Sequence, residues 1–446
     1  MPVNRKEKIV MQLPKIKFTA AGDMLIQRVI STGYEGFREV SEYIKKGDVR
    51  FFNFESIIYR KGIWGNQFNG GSFHNSDPRT LDIAREYGFN MMSFANNHTF
   101  DWGYGGLIST LDALENTDFV HTGVGMNLDE AASPAYLDTP TGRVALISMA
   151  SSIAGDSAIA GRQSRRTPGR PGINALRTEK YIEVTKEQFD VLNEISEVSG
   201  INDDHKILMA EGYAALKEDN TSVELGNAIK FRLGEKTKYH AKLNEKDMDR
   251  LERAIYEAKH QADYILVSIH SHEVAGEKKE NPADFIVEFA HRCIDMGAHA
   301  VLGHGPHLLR PLEIYKGYPI FYSLGDFMLH NESVTFAPED MYEKYGLTSD
   351  DPLCDIYRKR SRNYTVGLMT DSRMFEAVIP YFEMDGGKLT HLELLPIELG
   401  FGEPRYRLGN PRVCTDRGII ERFAEMSASY GTKIEINDAG IGIVKI

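Results

Sequence analysis

Cysteine is scarce in this chain of 446 residues, and long uninterrupted apolar stretches are missing. The three cysteines are widely spaced, at Cys293, Cys354 and Cys414, which excludes a disulfide framework and a zinc site built from thiolates. No apolar run reaches the roughly 18 residues of a membrane-spanning helix. The N-terminal stretch also lacks the apolar segment of a signal peptide. The sequence therefore predicts a cytoplasmic protein without a membrane span.

Basic residues are also fewer than acidic residues in this chain. The chain has 52 lysines and arginines against 64 aspartates and glutamates, which gives a formal net charge of −12 at pH 7. This balance argues against nucleic acid or an anionic membrane as the main partner. Hydrophobic residues make up 42% of the chain and charged residues 26%, proportions that are typical of a soluble globular enzyme.

Strand-like and helix-like segments alternate over residues 16–151 and again over 246–304. This alternation predicts an α/β protein with a parallel or mixed sheet covered by helices. Residues 155–247 interrupt it with a basic Gly/Pro-rich loop and a polar, helix-prone stretch, which we interpret as an inserted helical cap. We predict a core domain over 16–400 that contains this insertion, followed by a C-terminal extension over 401–446.

Histidine is concentrated in one part of the chain. Six of the 14 histidines lie between His270 and His307, and four of the six belong to the short bursts IHSHE (269–273) and GHGPH (303–307). Each burst ends a run that is typical of a buried strand. Because the carboxyl ends of strands in an open α/β sheet line a shared crevice, and imidazole is the commonest metal ligand, the bursts predict a functional site.

Acidic, amide and imidazole side chains stand at three other predicted strand ends. They are Asp23, then Asn53 with Glu55, then Asn97 and His98 with Asp101. A carboxylate inside an apolar strand, such as that of Glu55, needs a partner. Oxygen and nitrogen donors together suit Mn²⁺, Fe or Zn²⁺, and two such ions about 3.5–4 Å apart can activate a bridging water.

Five segments, taken in order, resemble the CapA family. They are GDM (22–24), NFE (53–55), NNHTFDWG (96–103), HSHE (270–273) and GHGPHLLRPLEIYKGYPIFYSLGDF (303–327). That family is named for poly-γ-glutamate capsule synthesis and belongs to the calcineurin-like metallophosphatase superfamily. The resemblance covers residues 16–330 apart from the insertion. It implies a calcineurin-like metallophosphatase fold, with two packed mixed β-sheets flanked by helices.

The resemblance implies a role for each matching residue. The metal ligands would be Asp23, Glu55, Asn97, His270, His304 and His307. Glu55 would be the bridging carboxylate, with Asn53 in support, and His98 would be the general acid. We place the catalytic roles on His98, Asp23, Glu55 and Asp101, with a divalent metal (Mn, Fe or Zn) as cofactor.

The sequence departs from the family patterns at several positions. Leu25 stands where the Asp-x-His motif of metallophosphatases has its histidine, and NFE (53–55) replaces Gly-Asp-x-x-Asp. GDF (325–327) replaces the Gly-Asn-Phe that is typical of CapA proteins, and His272 stands where glycine is usual. The sequence therefore leaves open whether two metal ions, one or none are bound.

Two loops are candidates for contact with the substrate. The arginines of loop 161–172 would clamp carboxylates or phosphates through paired guanidinium bonds, or else belong to a solvated loop. Loop 68–78, with His74, has the composition of a lid or of an ordinary surface loop. We assign substrate binding to Asn53, His74, Arg162, Arg165, Arg166, His272 and Glu273.

The sequence is compatible with three functions. The first is metal-assisted hydrolysis or transfer on an anionic peptide-like, γ-glutamyl or phosphoester substrate. The second is a metal-independent acid/base peptide epimerase on the same fold. The third is a non-enzymatic component of poly-γ-glutamate capsule synthesis.

Overall fold

The computed structural model of the chain describes residues 12–214, 220–226 and 229–446. They form two compact units: one runs to Ala175 and resumes at Asp249, and the other spans Leu176–Met248. Several mixed sheets with helices alongside make up these units, so the predicted α/β class is confirmed. In the described part of the chain, no helix combines the length and the apolar character needed to cross a membrane.

Strands and helices alternate along the first part of the chain. The strands are β1 (Ile16–Leu25), β2 (Val49–Phe54), β3 (Met91–Ser93), β4 (Val120–Thr122), β5 (Val124–Gly125), β6 (Ala135–Asp138), β7 (Arg143–Ala150) and β8 (Gly172–Ile173). The helices are α1 (Phe37–Ile44), α2 (Thr80–Tyr87), α3 (Gly103–Leu114) and α4 (Leu128–Ala132). Strand β8 pairs with β5, so the segment after β7 stays within the first unit, and the second unit begins at Leu176.

The second unit contains a sheet as well as helices. Its elements are β9 (Thr178–Val184), α5 (Lys186–Ser199), α6 (Asp203–Ala210), β10 (Ser222–Leu225), β11 (Ile229–Leu233) and β12 (Lys238–Leu243). The strands form a sheet in the order β10-β11-β9-β12. The prediction of a helical insertion is therefore incomplete. The apolar–polar alternation in IKFRL (229–233) and KYHAKL (238–243) is the signal for these strands, and the charge of the surrounding stretch obscured it.

The remaining chain runs from the end of the second unit into the first, and its first helix continues across the boundary after Met248. Its helices are α7 (Glu245–Gln261), α8 (Asp284–Met296), α9 (Glu339–Lys344), α10 (Leu353–Arg360) and α11 (Gly418–Ala428). Its strands are β13 (Tyr264–His270), β14 (Ala300–His304), β15 (Leu309–Tyr315), β16 (Tyr318–Leu324), β17 (Asp326–Leu329), β18 (Glu376–Asp385), β19 (Lys388–Glu398), β20 (Arg412–Val413), β21 (Ile434–Ile436) and β22 (Gly442–Val444). Strand β22 pairs with β19, so the predicted extension contributes to a sheet of the first unit, while its boundary at 401 stays a prediction.

Two mixed sheets dominate the first unit. Among the described residues the larger sheet has ten strands, in the order β21-β22-β19-β18-β1-β2-β3-β4, with β17 also beside β1 and β20 beside β19. Strand β1 pairs in parallel with β2 and β17, and antiparallel with β18. The smaller sheet has the order β15-β16-β14-β13-β7-β6, and β7, β13, β14 and β16 run parallel to one another.

The two sheets pack against each other through apolar side chains. Phe18 and Phe51 of the larger sheet share a buried cluster with Leu266 and Leu302 of the smaller one. Phe52 belongs to a second cluster, which also contains residues of α1, α2 and α3, because successive side chains of a strand point to opposite faces of the sheet. This packing brings the carboxyl ends of the parallel strands in both sheets to one place.

Candidate metal centre

Strand ends from the two sheets meet in one buried polar cluster. In the larger sheet, Asp23 of β1 lies opposite Asn53 of β2 and Asp326 of β17. In the smaller sheet, His270 and His304 end β13 and β14 and lie opposite each other. All five side chains are buried. The expected crevice at the carboxyl ends of the strands is therefore lined from both sides.

The Asp23 carboxylate forms the base of this cluster. Its Oδ1 accepts a hydrogen bond of 2.7 Å from Asn53 Nδ2, and its Oδ2 accepts one of 2.7 Å from the Gly305 amide. Oδ1 also lies 3.7 Å from His270 Nδ1 and 3.4 Å from His304 Nδ1. Burial opposes ionisation of Asp23, but the two imidazoles outweigh it and hold the pKa of this carboxyl well below its ordinary value.

Glycine at position 22 allows β1 to deliver Asp23. A Cβ atom on Gly22 would lie 1.7 Å from the carbonyl oxygen of Gly325, which precedes β17. The Asp23 amide donates a hydrogen bond of 3.2 Å to that same oxygen. Only glycine permits the two backbones to approach this closely.

The Glu55 carboxylate has an unusual environment. It is fully buried, and neither of its oxygens has a hydrogen-bond partner among the described residues. Three imidazole nitrogens surround Oε1 at nearly equal distances: His98 Nε2 at 3.9 Å, His270 Nε2 at 3.8 Å and His307 Nε2 at 3.9 Å. Burial and the charges of nearby carboxylates raise the pKa of Glu55 well above its ordinary value.

These distances fit a shared cation better than they fit hydrogen bonds. A separation of 3.8–3.9 Å between Glu55 Oε1 and the imidazole nitrogens is too long for a hydrogen bond. Two ligand atoms that are each about 2.1 Å from one ion lie about 3.0–4.2 Å apart. An unpartnered carboxylate in a buried site is costly unless a cation is supplied. The residues present therefore fit a divalent ion.

Several groups of donor atoms could hold such an ion, and each keeps its atoms within 4.8 Å of one another. The groups are Asp23 with His270 and His304, Glu55 with His272 and His307, Asp23 with His307 and Asp326, and His74 with His98 and Asp101. The first three adjoin one another around Asp23 and Glu55. Oxygen and nitrogen donors without sulfur suit Mn²⁺, Fe or Zn²⁺.

His98 is held rigidly beside this centre. Its Nδ1 lies 2.7 Å from Asp101 Oδ2, and the Asp101 carboxylate also accepts hydrogen bonds of 2.9 Å from the amides of Gly70 and His74. The His74 ring stacks on the His98 ring at a centroid distance of 3.6 Å. Burial lowers the pKa of His74 well below its ordinary value. This arrangement, an imidazole oriented by a carboxylate, is typical of acid/base catalysis.

His307 is oriented by a second carboxylate, that of Asp326. His307 Nδ1 lies 3.0 Å from Asp326 Oδ1. The backbone of His307 has a φ of 57°, in the left-handed region, which is uncommon for a residue other than glycine and often marks a functional site. Burial raises the pKa of Asp326 to about 6.

The loop after β13 is held by a polar network. Glu273 Oε2 accepts hydrogen bonds from the hydroxyls of Ser151, Ser152 and Ser271. The buried guanidinium of Arg310 donates to the carbonyl oxygens of Ser271 and His272. In this loop, His272 Nε2 lies 3.1 Å from His270 Nε2.

Comparison with known proteins agrees with this arrangement of motifs. Residues 17–331 match the family model described as bacterial capsule synthesis protein PGA_cap. The chain belongs to this family. The resemblance to CapA proteins is thereby confirmed.

Two relatives of this capsule synthesis family member differ in how much of their sequence they share with it. The chain is 32% identical to the uncharacterized protein y4sH of Sinorhizobium fredii over 452 aligned residues, which cover 96% of this chain and 92% of that protein. It is 25% identical to the capsule biosynthesis protein CapA of Bacillus anthracis over 337 residues, 73% of this chain and 62% of that protein.

A solved structure of a hypothetical protein from Thermus thermophilus is also similar, with a TM-score of 0.36 and 13% identity over 86% of this chain and 99% of that one. A similarity of this size identifies neither the fold nor the function.

In this capsule synthesis family member, the strand ends and loop 68–78 bring most predicted site residues together. The residues that meet are Asp23, Asn53, Glu55, His74, Asn97, His98, Asp101, His270, His272, His304 and His307. Asn97 takes part through its Oδ1, which lies 2.7 Å from His270 Nε2. Their roles as ligands or catalysts stay predictions.

The predicted arginine clamp is not connected to this cluster. Arg162, Arg165 and Arg166 are exposed, and Arg162 Nε lies 3.6 Å from Asp129 Oδ1. No hydrogen bond or ion pair between described residues joins these arginines to the strand-end side chains. Their assignment to substrate binding stays a prediction.

A cavity that the sequence did not indicate lies beside the His98 loop. It has a volume of about 520 Å³, and its lining includes Asn69, Gly71, Lys344 and Arg360. The intervening Gly70 approaches His98 so closely that a Cβ atom there would lie 2.8 Å from the ring. The cavity therefore offers two cationic side chains and one carboxylate, that of Asp340, beside the loop that holds His98. The cluster itself also contains Asp326, a residue that departs from the family pattern and that no sequence motif marks as part of the site.

Proposed function

We propose that this member of the capsule synthesis family is an enzyme that performs metal-assisted hydrolysis or transfer on an anionic peptide-like, γ-glutamyl or phosphoester substrate. The observation that carries the proposal is the buried Glu55 carboxylate, which has no partner among the described residues and has three imidazole nitrogens at 3.8–3.9 Å. The proposal includes a calcineurin-like metallophosphatase fold. The face-to-face packing of two mixed sheets supports it, because the polar strand ends then converge.

The ligands of the ion in this proposal are Asp23, Glu55, Asn97, His270, His304 and His307. A divalent ion held there would polarise a substrate oxygen and lower the pKa of a bound water. Burial lowers the pKa of His270 to about 4, so its ring is neutral at pH 7 and can act as a ligand.

His98 would act as the general acid that donates a proton to the leaving group. Asp101 holds the His98 Nδ1 edge at 2.7 Å, which leaves Nε2 free to carry or receive a proton on the side of Glu55. The contact with the Asp101 carboxylate fixes the orientation of the His98 ring. Lys344 and Arg360 in the adjacent cavity supply positive charge suited to an anionic substrate. Arg162, Arg165 and Arg166 remain candidates for contact with more distant parts of that substrate.

The test measures metal content and turnover together. Purified protein is analysed for Mn, Fe and Zn, then assayed on a chromogenic phosphoester and on a γ-glutamyl anilide, before and after chelation. We expect turnover that is lost on chelation and restored by the ion. His98→Asn is expected to lower kcat about 10²–10⁴-fold, whereas the control His391→Asn, at a partly exposed position on β19, is expected to match the wild type. Activity that survives complete removal of metal would refute the proposal.

A second candidate is peptide epimerisation without a metal. Two imidazoles, each oriented by a carboxylate, face the same region: His98 with Asp101 and His307 with Asp326 both place Nε2 3.9 Å from Glu55 Oε1. Two such groups could remove an α-proton and return one on the other face. Deuterium incorporation at a substrate Cα that chelators leave unchanged would favour this candidate, and its absence in active protein would exclude it.

A further inference from the structure

Asp326 is a buried carboxylate to which the family resemblance assigns no role. It occupies the position of the asparagine in the Gly-Asn-Phe pattern of CapA proteins. It begins β17 and lies opposite Asp23 in parallel register, so the two side chains emerge on the same side of the sheet. Its side chain is completely inaccessible to solvent.

The two oxygens of Asp326 have different surroundings. Oδ1 lies 3.0 Å from His307 Nδ1. Oδ2 has no hydrogen-bond partner among the described residues, although it is buried. The ammonium of Lys279, whose charge interacts with Asp326 at longer range, contacts Met374 Sδ at 3.6 Å instead. A buried carboxylate oxygen without a donor is costly while the group is ionised, and a bound cation offsets that cost.

The position that carries a histidine in metallophosphatases provides no metal ligand in this chain. Leu25 is buried in an apolar cluster with Leu308, Leu329 and Met374. The donor atoms of Asp23, His307 and Asp326, in contrast, lie within 4.8 Å of one another. The centre therefore lacks one imidazole and has one extra carboxylate on the strand adjacent to Asp23.

We propose that Asp326 is an additional, anionic ligand of the metal centre, which binds the ion through Oδ2 while Oδ1 orients His307. This inference rests on the metal centre of the proposed function. It gives the centre a third carboxylate beside Asp23 and Glu55. A hard oxygen donor with a full negative charge favours Mn²⁺ or Fe²⁺ more than the neutral amide of asparagine does.

The substitution Asp326→Asn separates ligation from orientation. The amide oxygen of asparagine can still accept a hydrogen bond from His307 Nδ1, so a purely orienting role is preserved. The charge and the second carboxylate oxygen are lost. We expect the affinity of the stripped protein for Mn²⁺, measured by titration calorimetry, to fall by more than about 100-fold, because the loss of an outer-shell partner alone costs about 10–100-fold. Asp295→Asn is the matched control, because this exposed aspartate pairs only with Lys316 and Tyr315 in the described structure.

A second measurement covers the possibility that the variant fails to fold. A crystal of the wild-type protein soaked with Mn²⁺ or Zn²⁺ is expected to show anomalous density about 2.0–2.2 Å from Asp326 Oδ2. Unchanged Mn²⁺ affinity of Asp326→Asn, an ion remote from Oδ2, or wild-type protein that binds no metal would each overturn the inference. Affinity is measured without substrate, so protein that binds metal through Asp326 but turns over nothing contradicts the proposed hydrolysis alone.

Discussion

Replacing Asp101 with asparagine tests whether this carboxylate holds the loop with Gly70 and His74 against His98. In the wild type, Asp101 Oδ1 accepts from the Gly70 amide, and Oδ2 accepts from the His74 amide and lies 2.7 Å from His98 Nδ1. In the variant, one oxygen becomes an NH₂ group that faces a donor. At least one buried donor then loses its partner, at about 1–3 kcal/mol, and the remaining bonds no longer end on a charge. We expect the loop to be destabilised locally by about 3 kcal/mol.

Hydrogen–deuterium exchange measures this effect at the residues concerned. Since each 1.36 kcal/mol is a factor of ten, the amides of Gly70 and His74 are expected to exchange on the order of 100-fold faster in Asp101→Asn. Amides of β13 and β14 are expected to keep their wild-type rates. Asp112→Asn is the control, because that half-exposed carboxylate pairs with Arg60 at the surface. Unchanged exchange at Gly70 and His74 would show that Asp101 does not hold the loop.

Three further predictions follow from the same site. Gly22→Ala would place a Cβ atom 1.7 Å from the Gly325 carbonyl oxygen, so we expect more than about 4 kcal/mol of destabilisation and little soluble protein. Gly33→Ala meets nothing nearer than 3.5 Å and should express normally; equal yields would contradict the reasoning. In metal-free protein, burial raises the pKa of Asp326 from 3.8 to about 6. The folded state therefore binds this proton more tightly than the unfolded state, and the stabilisation is full below pH 3.8 and lost as the pH rises through 6. Relative to Asp326→Asn, the wild type should lose about 3 kcal/mol over this range, and parallel curves of Tm against pH would refute this. Added Mn²⁺ at about 100 times its Kd should stabilise the stripped protein by about 2.7 kcal/mol, visible as a higher Tm; an unchanged Tm would argue against a metal centre.

The strand ends were accessible to sequence reasoning because their signal is local. A buried apolar run followed by Asp23, His270 or His304 indicates both the strand and the side chain at its end. The convergence of these ends also follows from the parallel alternation of strands and helices. The order of these motifs along the chain then supported the resemblance to a known family.

The parts that sequence reasoning missed depend on contacts between distant segments. Nothing local in the stretch around Arg310 indicates that its guanidinium lies buried against the carbonyls of the His272 loop. The basic loop with Arg162 and Arg166, in contrast, suggested a clamp by composition alone, and its side chains are exposed in the structure. A local cluster of positive charge indicates that a segment could bind an anion, but only tertiary contacts determine whether that segment lies close to the strand-end cluster.

The distances along the chain between partners in this site have a consequence for folding. The hydrogen bond between Asp23 and the Gly305 amide spans 282 residues, and the contact between Asn97 and His270 spans 173. Contacts of such sequence separation form late, because a long loop must close before they give any stabilisation. During synthesis, the first half of the chain would emerge with the Asp23 carboxylate still lacking its imidazole neighbours, His270 and His304. An ion whose ligands come from both halves of the chain could bind only after the second half has folded against the first. Metal binding would therefore be a measure of completed folding.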